Sequence, residues 1–92
     1  MLYPFMTLDD ETEIVHSENY FENGTEHVRV EIEKPVEGGF QSAECILPEY
    51  KWQNVQGFSD VEIQRLQDLI ESLAHIIFRL ARNGGFDNAA GF

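Results

Sequence analysis

Ninety-two residues carry seventeen Asp and Glu against six Lys and Arg, a net charge of −11 at neutral pH. A chain this short builds one core, and so acidic a surface disfavours direct contact with nucleic acid or an anionic membrane, since phosphate binding needs Lys and Arg. A single cysteine, Cys45, leaves no disulfide framework and no multi-cysteine zinc site.

The predicted elements begin with LYPFMTL (2–8), an apolar strand in which Pro4 removes a donor and so suits an edge. Asp9–Thr12 is a polar turn, and EIVHSENYF (13–21) is the second strand. Asn23-Gly24 then marks a tight hairpin, because both residues tolerate positive φ. Asn23-Gly24-Thr25 also matches a glycosylation acceptor, but that pattern has meaning only in a secreted chain, so the hairpin reading is preferred. HVRVEIEK (27–34) is the clearest strand: Val28, Val30 and Ile32 alternate with Arg29, Glu31 and Glu33. After the turn at Gly38-Gly39 comes FQSAECIL (40–47), with Ala43, Cys45 and Leu47 on one face. EYKWQNVQGF (49–58) is expected as an aromatic loop, with Tyr50, Trp52 and Phe58 either capping the core or presenting a hot spot to a partner.

The helix start is signalled three times. Ser59 and Glu62 form a capping box, Phe58 and Ile63 a hydrophobic staple, and Asp60 and Glu62 suit the positive end of the dipole. Ile63, Leu66, Ile70, Leu73, Ile77 and Leu80 make the seam, widened by Leu69, Ala74, Ile76, Phe78 and Ala81. Together they cover roughly 200° of the circumference, whereas docking on one sheet needs a stripe of only about 100° or somewhat more. Loop, tail or a second protein must cover the surplus. Gly84 is placed to end the helix in the left-handed conformation, and Phe86 and Phe92 make a docked or partner-binding tail the expectation. The sequence thus predicts an α+β domain: an antiparallel β-meander of three to four strands (1–48), an aromatic loop (49–58), one long C-terminal helix (59–83) and a tail (84–92).

Charge is uneven along this plan. Residues 1–50 hold twelve acids against Arg29 and Lys34, a balance of −10; residues 51–92 hold five against four, a balance of −1. A basic protein partner is therefore expected at an acidic sheet face carrying Glu31, Glu33, Glu26 and Glu18, and self-association is expected through Ile76, Phe78, Phe86 and Phe92, most simply as a homodimer. Acidity serving only solubility is the alternative.

Candidate chemistry is thin. His75 falls on the polar helix face among Glu71, Ser72 and Arg79, where a charge ladder explains it. His16 and His27 flank the Asn-Gly turn out of register with each other, and no compact ligand spacing accompanies them, so no metal or other cofactor is expected. Cys45 reads as a core residue without an activating base. A non-enzymatic protein is expected; a small enzyme would need a polar pocket with His16, His27 or His75 at its edge. MLYPFMTLDD has neither a basic n-region nor a signal-length apolar run, and LAHIIFRLA is too short to span a bilayer, so a soluble, cytoplasmic protein is expected.

MLYPFMTLDDETEIVHSE, VEIEKPVEGGF and GGFDNAAGF together resemble a group of small acidic bacterial proteins, a resemblance that implies no activity and no functional residue. In outline, a short antiparallel sheet followed by a helix is similar to small antitoxins of the HicB type, which implies at most an antitoxin-like or inhibitor-like role.

Overall fold

The computed structural model describes residues 1–85. In chain order it contains β1 (Leu2–Thr7), β2 (Glu13–Ser17), β3 (Tyr20–Glu22), β4 (Thr25–Val36), β5 (Gly39–Leu47), β6 (Lys51–Gln56) and α1 (Asp60–Asn83). The strands form one antiparallel sheet in the order β1-β2-β4-β5-β6, with β3 pairing on β4 beyond the end of β2. The α+β class and single C-terminal helix are as predicted, but there are six strands rather than three or four.

Both extra strands have local causes. Residues 13–21 divide because β2 stops at Ser17 and pairing on β4 resumes only at Tyr20. The stretch expected as an aromatic loop contains β6, which lacks a clean period of two because Asn54 takes φ 53° where the β5–β6 register shifts. Asn23 (φ 50°) and Gly24 (φ 79°) make the two-residue hairpin between β3 and β4. Neither outer edge invites further pairing: β1 carries Pro4 and a register shift before Met6, and β6 carries the Asn54 irregularity.

One sheet face holds the core. Ile14–Ile32–Ala43 and His16–Val30–Cys45–Trp52 run across the strands as facing rows, followed by Val28–Leu47. Against them the helix buries Leu66, Ile70, Ile77, Leu80 and Ala81. Ile70 and Ile77 are almost wholly removed from water, each worth about 1.5–3 kcal/mol relative to exposure. Part of the surplus apolar arc is covered at the helix flanks, where Trp52 and Leu8 pack beside the core. Trp52 Nε1 donates to Gln67 Oε1 at 2.9 Å on one side, and Leu8 lies with Leu66 and Leu69 on the other.

Both helix ends are fixed. The Ser59 hydroxyl accepts from the Glu62 backbone at 3.2 Å while the Glu62 carboxylate accepts from Ser59 N–H at 2.9 Å. Gly84, at φ 79°, returns its N–H to Leu80 O. Gly85 then sits so close to Tyr3 that an added Cβ would lie 2.8–2.9 Å from that side chain, so only glycine allows this approach to β1. Phe86 and Phe92, and with them the expected tail, lie outside the described residues.

Candidate binding surface

The helix covers one face of the sheet and leaves the other open. Period-two alternation sends Glu13 and Val15 of β2, Arg29, Glu31 and Glu33 of β4, and Ser42 and Glu44 of β5 to that open face. Register then sets carboxylates directly opposite one another: Glu13 faces Glu33, and Glu31 faces Glu44. Like charges in such positions destabilise a sheet. They border a shallow concavity of about 430 Å³ with Val15, Ser42 and Gln56.

The two pairs are not equally compensated. Arg29 Nε donates to Glu31 at 2.8 Å. Glu44 accepts from Gln53 at 3.1 Å and from Asn54 at 3.2 Å. Among the described residues Glu13 and Glu33 have neither an ion-pair nor a hydrogen-bond partner for their side chains.

Of the four acids expected together, the structure unites only two. Glu31 and Glu33 share the open face, whereas Glu26 is turned toward the helix and grips Arg82 through both carboxylate oxygens, with Asn19 donating at 3.0 Å. The Arg82 hydrogen bonds hold the Glu26 carboxyl below the usual carboxylate range. Glu18 lies at the β1 edge, 3.9 Å from the Met1 ammonium. Both are corrections to the sequence reading, and the cause is parity: residue 26 falls on the same side of β4 as Val28 and Val30, and residue 18 follows the end of β2. Sequence reasoning missed Glu13 and Glu44. Each alternates with buried neighbours, which was a signal available, but only the strand register puts them opposite Glu33 and Glu31. Ile76 and Phe78, named for self-association, are both half-buried; Phe78 packs against the core, with the Arg82 guanidinium 5.6 Å from its ring centre.

The histidines do not converge. His16 lies on the core face, fully buried between Tyr3 and Phe5; Nδ1 donates to Ser17 O at 2.8 Å and Nε2 has no hydrogen-bond partner among the described residues. His27 lies on the opposite face under a stacked Tyr20 ring, 5.6 Å between centres. Its Nδ1 is 3.2 Å from both Leu47 O and Glu49 Oε1; facing only acceptors, it carries the proton. A cleft of about 340 Å³ beside it is lined by Tyr20, Glu22, Glu49, Lys51 and others, but by no Ser, Thr or Cys. His75 is exposed on the helix. Cys45 is wholly buried, and desolvation pushes its thiol up to about 12. Among the described residues no group of three or more His, Cys, Asp or Glu is arranged to hold a metal ion, and no helix is long and apolar enough to cross a membrane.

Comparison of the chain with protein-family models, with curated proteins and with solved structures finds no match.

Proposed function

We propose that this protein is a non-enzymatic binding module whose open sheet face engages a basic protein partner, in the manner of an inhibitor or antitoxin. The observation that carries the reading is the Glu13–Glu33 pair: two carboxylates set opposite each other by register, exposed, and without an ion-pair partner among the described residues. A partner's Lys or Arg placed between them would turn a local repulsion into two attractions, while complementary charge speeds the encounter.

The test is affinity capture from host lysate by the wild-type protein and by a variant with Glu13, Glu31, Glu33 and Glu44 all changed to Gln, at low and at high salt. A basic protein held by the wild type at low salt, released at high salt and lost by the variant supports the reading. Equal capture by the variant refutes it, because the open face is then not the contact.

A second copy of the chain is the weaker reading, resting on the half-buried Ile76 and Phe78. A mass twice the monomer's in light scattering, abolished by Ile76→Glu, would favour it; a monomeric mass at high concentration would dismiss it.

A further inference from the structure

The open face is not uniform, and its end near the β4–β5 turn differs in kind from its middle. Phe40 is directly opposite Pro35 in the ladder and 65% exposed, although it is a large aromatic side chain. It lies on the same side of the sheet as Glu33, one row away. A single cleft of about 310 Å³ is lined by Phe40, Pro35, Glu33, Glu13, Glu11 and Thr7. An exposed ring is thus gathered with three carboxylates, Glu11, Glu13 and Glu33, none of which has a hydrogen-bond or ion-pair partner among the described residues.

We propose that this cleft anchors an arginine side chain of the basic partner, with the guanidinium lying over or beside the Phe40 ring and its N–H groups donating to Glu13 and Glu33. The inference rests on the basic-partner reading above and specifies its point of attachment. Three arguments favour arginine over lysine. A guanidinium presents a planar fork of donors that can serve two carboxylates at once, whereas an ammonium is a point charge. It is more weakly hydrated, so placing it on an apolar ring and beside Pro35 costs less desolvation. It also stacks on an aromatic face, adding a cation–π attraction at Phe40, whose ring is 65% exposed, whereas the Tyr20 ring on the same face is already stacked on His27. Glu31 and Glu44 already hold Arg29, Gln53 and Asn54, so this end of the face combines carboxylates without a partner among the described residues with a largely exposed ring. Aromatic rings paired with a focused charge are the usual composition of an interface anchor.

The test is a two-dimensional amide NMR titration of the full chain with capped tetra-arginine and capped tetra-lysine peptides at low salt. The wild type, Phe40→Leu and the Glu13→Gln/Glu33→Gln double variant are compared; all three changes are at exposed side chains. The expected result is that tetra-arginine binds at least about threefold more tightly than tetra-lysine, with shifts centred on residues 11–15, 31–35 and 39–42. Phe40→Leu should erase the preference for arginine, and the double variant should weaken both peptides. Equal affinity for both peptides, unchanged in Phe40→Leu but with shifts still on the outer sides of β2, β4 and β5, would overturn the arginine anchor and leave the basic-partner reading standing. No shifts on that face, or shifts only elsewhere, would overturn both.

Discussion

Glu33→Lys should make the protein more stable while weakening its hold on a basic partner. In the native ladder Glu33 stands directly opposite Glu13, with no ion-pair partner for either among the described residues, and a like-charge pair in that position costs roughly 0.2–1 kcal/mol, with an opposite-charge pair gaining a similar amount. Reversal therefore swings the pair by about 1 kcal/mol, which for a domain of this size raises Tm by about 4–8 °C. Glu33→Gln removes the repulsion without adding the attraction and should give about half that rise. Glu31→Gln is the internal contrast. It relieves Glu44 but forfeits the Arg29 hydrogen bond, so stability should stay within about 0.5 kcal/mol of wild type. Circular-dichroism melts at low salt and at about 1 M NaCl, where the Debye length falls to roughly 3 Å, check the electrostatic origin. An unchanged or lower Tm for Glu33→Lys at low salt, or a gain of the same size at high salt, would refute the reasoning.

Other perturbations probe the remaining parts of the argument. Ile70→Ala, at the centre of the helix–sheet contact, should lose about 2–5 kcal/mol in a denaturant titration with an unchanged m-value. Ser59→Ala removes one half of the capping box and should cost about 1 kcal/mol by the same assay. Cys45 in the native protein should resist iodoacetamide at pH 8, because it is buried and its thiol is pushed up to about 12; mass spectrometry should show labelling that follows global unfolding. The Glu26 carboxyl is held low by Arg82, so its contribution is present above the unfolded carboxylate range near pH 4 and is lost as pH falls through the lowered native value. Asp10, held low chiefly by Thr12, and Glu62, held low by Ser59, act in the same direction. The Tm of the wild type should fall more steeply from pH 5 to pH 3 than that of Glu26→Gln.

The parts of this structure legible in the sequence are those encoded within a few residues. The Ser59–Glu62 box, the Gly84 terminator, the Asn23-Gly24 hairpin and the alternation of Val28, Val30 and Ile32 are all local signals, and all stand as read. β6 was hidden because KWQNVQ places a left-handed Asn54 inside the strand and so destroys the alternation that identifies strands. The acidic surface was legible only in part. Alternation assigned Glu31 and Glu33 correctly to the open face, but the same rule applied to Glu26 would have excluded it, since its parity is that of the core. The pairing of Glu13 with Glu33 depends on which strand neighbours which and in what register, and neither is written in any short stretch of chain. Phe40 differs in parity from Ala43, Cys45 and Leu47, so alternation already sets it off the core face, but its place across from Pro35 and beside Glu33 came only with the ladder.

The apolar face of the sheet is completed by α1, the element that follows all six strands in the described residues. β1 through β6 are finished by Gln56, and β1–β2, β3–β4, β4–β5 and β5–β6 pair neighbours in the sequence, so most of the sheet can assemble as soon as it leaves the ribosome. Until Leu66, Ile70 and Ile77 follow, however, the row Ile14, Val30, Ile32 and Leu47 has nothing laid over it. During synthesis the chain therefore passes through an interval in which a nearly complete sheet exposes its whole oily side, the kind of species that chaperones bind and that aggregates when they do not. Premature termination before the helix would hold the chain in that interval permanently, and a fragment ending near residue 58 should be found with chaperones or in inclusion bodies.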